Sequence, residues 1–304
     1  METDWECLIV GGGAAGLSAA LVLGRARRRT LVVDVGRQSN LAAHGIGGLL
    51  GHDGLPPAQL YQQSRNELQR YPSIEVRSGE VVGAERRDGV FEVELAGGTR
   101  ERVKRVLLAM GMQYRPPRLP GLDELWGSSV FHCPFCHGWE VRDQALGVLA
   151  DGEQAVHMAS LLCAWSNDVV LLTGGAGALE AEQLARLSAA GIAVDDREIA
   201  RLESEQGELS AVVFADGSRL PRRGLLVATT LHQRTDLATR LGVRLTSVGP
   251  VSEDAVEVDA LSRTSVAGVF AAGDVCTQMP QMAAAIAAGS AAAVSVVASL
   301  MEEP

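Results

Sequence analysis

The sequence predicts an α/β protein made of two three-layer domains, each with a mainly parallel sheet between helices. Three observations predict this fold class. A strand, a glycine-rich turn and a helix follow one another over residues 7–23. A second strand–turn–helix unit begins at Leu146, and a strand near the C-terminus ends in Gly273 and Asp274. Strands alternating with helices in this way are typical of Rossmann-like domains.

The first glycine-rich turn, Gly11-x-Gly13-x-x-Gly16, lies between a short apolar strand and a helix. In such a turn the first glycine permits the tight bend, the second lets a pyrophosphate approach the backbone, and the third lets helix and strand pack closely. Ala14 and Ala15 open the helix, whose free N–H groups and dipole favour a phosphate. The sequence therefore predicts a dinucleotide site here rather than a glycine turn without a ligand.

The second strand, residues 30–33, ends in Asp34. A carboxylate about 20 residues after the glycine turn accepts hydrogen bonds from ribose hydroxyls and repels a 2′-phosphate. The adenosine at this site is therefore predicted to belong to FAD or NAD rather than NADP. Val35 and Arg37 follow directly and are predicted to line the same cofactor site.

Residues 37–60 form a long polar stretch rich in glycine and proline. So long an irregular segment inside a compact domain is usually functional. We interpret it as a flavin-cradling loop, with Asn40, His44 and Gly45 as candidate contacts. A solvated loop with incidental histidines is the alternative.

A change of composition after Ala109 and Gly111 marks a crossing into a second domain, predicted to span residues 115–234. From about residue 235 the chain is expected to return to the first domain, which is then discontinuous and spans residues 1–114 and 235–304. The alanine-rich helix that begins at Gln281 and Met282 would point its N-terminus towards a ring oxygen or a phosphate. Asp274, at the preceding strand end, is placed to accept from sugar or ribityl hydroxyls.

The nucleotide turn of the second domain is degraded. Ala150 and Asp151 stand where glycine is wanted, and only Gly152 and the small Ala155 fit the pattern. The next strand ends in Thr173-Gly174-Gly175, with no arginine to meet a 2′-phosphate. This domain has the shape of a nicotinamide nucleotide domain but lacks much of its chemistry, which argues against NADPH.

The second domain also carries Cys133-Pro-Phe-Cys136, flanked by His132 and His137. Cysteines three residues apart can close as a disulfide or open to a dithiol, and a helix N-terminus or nearby cation lowers a thiol pKa. A zinc half-site or two unrelated buried thiols are the alternatives, but no second pair with ligand spacing accompanies it. No metal is predicted.

The residues beside the pair have two interpretations each. Either histidine would serve as a base, or would only cap or pack beside the cysteines. Trp139 is expected to pack rather than contact a substrate.

Composition excludes several classes of function. The 304 residues carry a formal charge of -10 and a pI of about 5.1, which argues against nucleic acid or acidic lipid as partners. Five cysteines, thinly spread and odd in number, indicate a reducing cytoplasm, and the acidic start of the chain predicts no signal peptide. The apolar run at residues 282–301 is mostly alanine, which favours a closely packed helix over a membrane span. Cys7, Cys163 and Cys276 are expected to be inert buried thiols.

Taken together, Gly11-x-Gly13-x-x-Gly16, Cys133-x-x-Cys136 and the segment 268–274 resemble the low-molecular-weight thioredoxin reductase family over essentially the whole chain. The resemblance implies an FAD enzyme and a homodimer, with Cys136 next to the flavin, Cys133 exchanging with substrate, and Asp274 on the ribityl and phosphate side of FAD. It also implies that Val82, Ala109, Gly111 and Gly273 belong to the cofactor site.

Two departures refine this resemblance. That family has an aspartate directly after the second cysteine and an intact NADPH turn, whereas this chain has His137 and the degraded turn. The segment 133–140 looks more like the dithiol oxidases that close disulfides in gliotoxin and holomycin. That resemblance implies a small-molecule dithiol substrate, with electrons passing through the cysteine pair and FAD to O2. The rivals are an NAD(P)H-dependent disulfide reductase, a flavoprotein that only senses redox state, and a zinc-binding structural module.

Overall fold

A computed structural model describes residues 4–175, 179–277 and 279–302. The chain folds into two compact units. The first contains residues up to 39, residues 57–114 and residues from 230 onwards; the second contains residues 40–56 and 115–229. These units depart from the predicted domain boundaries at residues 40–56 and 230–234. The assignment of a cofactor to each domain stays a prediction.

The described helices and strands alternate through most of the chain, as the sequence predicts. In chain order they are β1 (Trp5–Val10), α1 (Ala14–Arg25), β2 (Thr30–Asp34), α2 (Pro57–Leu68), β3 (Ile74–Ser78), β4 (Val81–Arg87), β5 (Val90–Leu95), β6 (Arg100–Leu108), β7 (Met112–Arg115), β8 (Val130–Phe131), α3 (Pro134–His137), β9 (Leu146–Leu149), α4 (Gly152–Leu162), β10 (Val169–Leu172), α5 (Ala181–Ala189), β11 (Ala193–Asp195), β12 (Ile199–Glu205), β13 (Glu208–Phe214), β14 (Arg219–Pro221), β15 (Gly224–Val227), β16 (Thr230–Gln233), α6 (Leu237–Arg240), β17 (Val269–Ala271) and α7 (Met282–Met301).

The first unit is organised around a seven-stranded sheet in the order β3-β2-β1-β6-β5-β4, with β17 also paired to β6. β1 lies parallel to β2 and β6, so the turn after β1 meets the carboxyl end of the parallel strands. β4, β5 and β6 pair in antiparallel fashion. β1 and β2 are almost wholly buried apolar runs, as expected of strands covered on both faces.

Helix α7 packs against α1 in the core of the first unit. Ala292, Ala293 and Val296 are fully buried in the cluster that also contains Ala15 and Ala19. By length and composition α7 could cross a membrane, with a mean hydropathy of 1.9 and 28% of its window buried. One such helix is weak evidence for a span, because a core helix passes the same test. Its packing agrees with the closely packed helix expected from its alanines.

The second unit has a parallel five-stranded sheet, β11-β10-β9-β15-β8, and an antiparallel three-stranded sheet, β12-β13-β14. The parallel sheet buries Leu146, Val148, Leu171 and Leu226 against α4. β8 is the edge strand, and the chain leaves it directly for the cysteine pair. In the antiparallel sheet, β12 and β13 form a hairpin and β14 pairs with β13 as a third strand.

Candidate active site

The cysteine pair lies on a short helix that begins immediately after β8. Cys133 is the N-cap of α3, with extended backbone (φ -125°, ψ 107°), and Pro134 occupies the first turn, where its missing N–H costs nothing. The N–H groups of Cys136 and His137 both donate to the Cys133 carbonyl at 3.2 Å. The two cysteines form a disulfide with a Cα–Cα distance of 5.3 Å. The local backbone therefore presents the pair in the disulfide form.

His137, the last residue of α3, is oriented by two contacts. Its ring stacks on Phe131 at 5.6 Å with an interplanar angle of 11°. Its Nε2 lies 3.1 Å from the Gly127 carbonyl, and since a carbonyl can only accept, Nε2 carries the hydrogen. Nδ1 is buried and makes no hydrogen bond of normal geometry within the described residues. Burial lowers the pKa of His137 below its usual value, although the backbone of Gly127, the charge of Glu140 and the backbone of Cys133 partly oppose that shift. The ring is therefore neutral at neutral pH, and its role as a base stays a prediction.

His132, on the other side of Cys133, is stacked on Trp126 at 5.8 Å with an interplanar angle of 23°. Burial, helped by repulsion from His137, lowers the pKa of His132 to about 4. This imidazole is neutral throughout the neutral range. Of the two candidate bases, the geometry favours His137, because its free nitrogen and its tautomer are both defined.

The segment 40–56 belongs to the same compact unit as the cysteine pair. A Cβ on Gly47 would overlap the carbonyl oxygen of Cys136, so the two backbones are in contact and only glycine fits there. The segment is held by its own hydrogen bonds, including Gly48 N–H to the Asp53 carboxylate (2.8 Å) and Ile46 N–H to the Leu55 carbonyl (2.9 Å). The loop is therefore internally hydrogen-bonded, while most of its residues are exposed, and its role as a flavin-cradling loop stays a prediction.

The candidate flavin contacts Asn40, His44 and Gly45 lie in this loop. The Asn40 carbonyl accepts from the Ala43 N–H at 3.0 Å, His44 is exposed, and Gly45 lies against the backbone of Gly54. The structure therefore groups these residues with the cysteines, and their contact with FAD stays a prediction.

Two aromatic residues beside the pair are exposed. Trp139 was predicted to pack, but 65% of its surface is exposed, so that prediction was wrong. The Arg142 guanidinium lies 3.8 Å from the centre of the Trp139 ring. Phe135, between the cysteines, is 61% exposed.

The other three cysteines are set apart from this chemistry. Burial raises the pKa of Cys7 and of Cys276 to about 12, and it also raises the pKa of Cys163. Their thiols stay protonated at neutral pH, as expected of inert cysteines. Only Cys7 is fully buried; Cys163 and Cys276 are partly exposed, so the expectation of burial was wrong for these two. The described residues contain no group of three or more potential ligands that could hold a metal.

In the first unit, the glycine turn has the conformation that a dinucleotide requires. Gly11 has φ +106°, and a Cβ there would lie within 3 Å of the Ala109 backbone. Gly13 is the N-cap of α1 without a side-chain cap, and the first turn contains no acidic residue. Ala14, Ala15 and Gly16 supply the following backbone. The N-terminus of this helix, with its free N–H groups and positive dipole end, fits the pyrophosphate of FAD.

The C-terminal motif comes together with this turn. A Cβ on Gly273 would lie 2.8 Å from the Cβ of Ala15, so the two backbones are adjacent. Asp274 is buried, and its carboxylate accepts a hydrogen bond from the Tyr114 hydroxyl at 3.1 Å. Burial raises the pKa of Asp274, while Tyr114 and Arg234 oppose that shift. A buried carboxylate beside a phosphate site fits the hydroxyls of a sugar or ribityl chain.

Asp34, Val35 and Arg37 line one cavity at the end of β2, together with Arg77 and Ser78 of β3. The Gln38 amide donates to both oxygens of Asp34, at 3.2 and 3.0 Å, and to the Gly12 carbonyl at 3.3 Å. Gln38 thus orients the predicted ribose acceptor. Sequence reasoning missed Gln38, Tyr114 and Arg234, because no motif marks them. For Gln38 the only local signal was its spacing of four residues from Asp34.

The remaining predicted cofactor residues are distributed along the first unit. Ala109 is buried and its N–H donates to the Val10 carbonyl at 2.8 Å, beside the glycine turn. Gly111 has φ +61° and open space around it. The Val82 carbonyl accepts from Arg240 at 2.9 Å, and Val82 does not line the cavity beside Asp34. Gln281 caps α7 and Met282 packs on the core. Their cofactor roles stay predictions.

The second nucleotide turn, between β9 and α4, carries negative charge. Asp151 is the N-cap of α4 without a side-chain cap, and Glu153 lies in the first turn. Arg186 of α5 is bound to Glu153 at 2.5 Å, with Gln183 donating to the same carboxylate at 3.2 Å. β10 then leads to Thr173, Gly174 and Gly175. Two carboxylates at the helix N-terminus disfavour a pyrophosphate there.

Comparison with known proteins agrees with this site. The family model for pyridine nucleotide-disulphide oxidoreductases matches residues 5–289. Thioredoxin reductase tcpT of Claviceps purpurea is 34% identical over 279 residues, covering 88% of this chain and 86% of the relative. The crystal structure of an oxidoreductase from Agrobacterium tumefaciens has a TM-score of 0.92 and 36% identity, covering 99% of both chains. That of HlmI has a TM-score of 0.91 and 36% identity, covering 98% of this chain and 93% of the other.

Fold and site thus define an FAD-dependent thiol-disulfide oxidoreductase with a thioredoxin reductase-like fold. The chain belongs to the pyridine nucleotide-disulphide oxidoreductase family.

Proposed function

We propose that the enzyme is a dithiol oxidase, which closes an intramolecular disulfide in a small-molecule dithiol and passes the electrons to O2. The observation that carries this proposal is the second nucleotide turn. Asp151 places a carboxylate at the N-cap of α4, where a nicotinamide dinucleotide would be expected to bind its pyrophosphate, while the charge of Glu153 in the first turn is paired with Arg186. Without a nicotinamide donor, the electrons enter from the dithiol substrate.

In the proposed cycle, a substrate thiolate attacks the Cys133 sulfur. The Cys133–Cys136 bond breaks, a mixed disulfide forms, and Cys136 leaves as a thiolate. The second substrate thiol then attacks the substrate sulfur of the mixed disulfide. This releases the product disulfide and leaves two electrons in the reduced pair.

His137 accepts the proton of an attacking thiol at Nδ1, while Nε2–H remains bonded to the Gly127 carbonyl. The candidate cofactor residues around Gly11, Asp34 and Asp274 would hold FAD, and the bound flavin would supply the chemistry for transfer of the two electrons to oxygen. The net reaction converts a dithiol and O2 into a disulfide and H2O2.

The test is anaerobic reduction followed in the flavin absorbance band, with NADPH, NADH and dithiothreitol added separately before air is admitted. We expect bleaching by the dithiol alone and recovery in air with one peroxide formed per flavin. Cys133→Ser should abolish bleaching by dithiol, whereas Cys163→Ser, which also removes a cysteine of this unit, should not. Rapid bleaching by either nicotinamide nucleotide would overturn the proposal.

The second candidate is an NAD(P)H-dependent disulfide reductase. The relatives' names favour it, since several of them, including that of Claviceps purpurea, are called thioredoxin reductases. The same experiment decides between the two, because the reductase predicts bleaching by a nicotinamide nucleotide that a disulfide substrate reverses without air.

We further propose that the enzyme is a cytoplasmic homodimer, as the family resemblance and the cysteine usage suggest. Light scattering of the FAD-loaded protein tests the dimer. A mass of one 32.0 kDa chain would contradict it.

A further inference from the structure

Phe135 and Trp139 stand out among the aromatic residues of this chain. The sequence contains five Phe, four Trp and three Tyr, and the structure describes all twelve. Only Phe135 and Trp139 are exposed, at 61% and 65%. Both lie within three residues of a redox cysteine. Exposed large apolar side chains grouped at one place mark binding sites, whereas single scattered ones do not.

Both rings are held from behind rather than left mobile. Phe135 contacts Trp165 edge to face, with ring centroids 5.4 Å apart at 84°. The Arg142 guanidinium stacks on Trp139, 3.8 Å from the centre of its ring, and also donates a hydrogen bond to the Trp139 carbonyl at 2.6 Å. A Cβ on Gly138, between the two aromatics, would lie 2.8 Å from the Trp165 ring, so the turn is packed closely on its support. Rings fixed in this way lose little entropy when a ligand covers them.

The two rings are also close in the chain. Phe135 lies in α3 and Trp139 in the turn that follows it, and the backbone stays right-handed helical through Gly138 (φ -65°, ψ -29°). In helical backbone a spacing of four residues brings side chains next to one another. A third apolar side chain, Leu50, is 98% exposed in the loop whose Gly47 contacts the Cys136 backbone.

The size of this aromatic face indicates its occupant. Each aromatic side chain can bury about 150–250 Å², so the two rings together offer at most about 500 Å². A stable protein partner needs about 800 Å² from each side. The face matches one side of a small molecule instead.

We infer that Phe135 and Trp139 bind the flat apolar body of the dithiol substrate while its sulfurs meet Cys133. The substrate class is therefore a small dithiol with an aromatic or other planar apolar ring system. This inference rests on the proposed function and adds the determinant of specificity.

The test compares two dithiols, 1,2-benzenedimethanethiol with a planar apolar body and dithiothreitol with a polar one. We expect the wild type to prefer the aromatic dithiol. In Trp139→Ser and Phe135→Ser, the ratio of kcat/KM for the aromatic dithiol to that for dithiothreitol should fall about tenfold, mainly through KM, which corresponds to about 1.4 kcal/mol. Trp139→Phe should restore most of the ratio, and Val248→Ser, at a 75% exposed site in the other unit, should leave it unchanged.

An unchanged ratio in both serine variants would overturn the inference. A second contrary result would be a tenfold lower rate of oxidation of reduced thioredoxin in these variants with the small-dithiol ratio unchanged, because it would assign the aromatic face to a protein partner. Failure of the proposed function looks different, because the wild-type flavin would then not be bleached by either dithiol. The variants fold if their flavin spectra and melting temperatures match the wild type, as expected for exposed side chains.

Discussion

The role of His137 gives the sharpest prediction, since its tautomer is defined. Replacing it by Gln removes the free Nδ1 but keeps a donor for the Gly127 carbonyl. General base catalysis is worth about 10²–10⁴-fold, so the rate of anaerobic flavin bleaching by a dithiol should fall by that factor. The assay is stopped-flow absorbance under pseudo-first-order dithiol. His157→Gln, at an exposed histidine of α4, is the matched control and should keep the wild-type rate.

The pH profile separates a base from a packing residue. Burial holds the pKa of His137 below its ordinary value, so the ring is unprotonated at neutral pH and the wild-type rate should fall only in acid. In His137→Gln the substrate must ionise by itself. With a thiol pKa near about 8.5, the thiolate fraction and hence the rate should rise roughly 16-fold between pH 7 and 8.5. A variant that keeps both the wild-type rate and a flat profile over this range would refute the assignment.

Two further predictions concern stability. Burial lowers the pKa of His132 to about 4, so as the pH falls the unfolded state binds a proton before the folded state does. The contribution of neutral His132 to the free energy of unfolding is therefore complete above about pH 6.5 and is lost as the pH falls towards 4. A shift of about 2.5 pH units at 1.36 kcal/mol each corresponds to about 3 kcal/mol in the free energy of unfolding. His132→Gln should therefore flatten that part of the pH dependence of urea unfolding. An equally steep profile in the variant would contradict the prediction. Gly47→Ala should destabilise by about 1–3 kcal/mol, since its Cβ meets the Cys136 carbonyl, whereas Gly83→Ala, whose nearest contact is 4.0 Å away, should be near neutral. Equal melting temperatures for the two variants would argue against the contact.

The sequence predicted those parts of the site that are local in the chain. The glycine turn, Asp34 and the cysteine pair are each defined by residues within a few positions, and a backbone turn or a helix end is enough to give them their chemistry. The alternation of strands and helices likewise predicted the parallel strands of both units, because buried parallel strands are continuous apolar runs.

The contacts that sequence reasoning missed join distant segments. Tyr114 bonds to Asp274 across 160 residues, and Arg234 donates to Ser39 at 2.7 Å across 195. No periodicity reports such a pair. The contact between Gly47 and Cys136 is of the same kind, and it groups residues 40–56 with the second unit. The prediction for Trp139 failed for a related reason, because whether a tryptophan is covered depends on segments elsewhere in the chain.

The interleaving of the two units has a consequence for biosynthesis. Residues 40–56 and 115–229 are all made before residue 230 leaves the ribosome, so the unit with the cysteine pair has its full set of strands while the other still lacks β17 and α7. Gly273 and Asp274, which belong to the predicted cofactor site beside Ala15, are synthesised after all of that unit. If these residues hold FAD as predicted, we expect the unit with the redox pair to be synthesised before the cofactor site is complete.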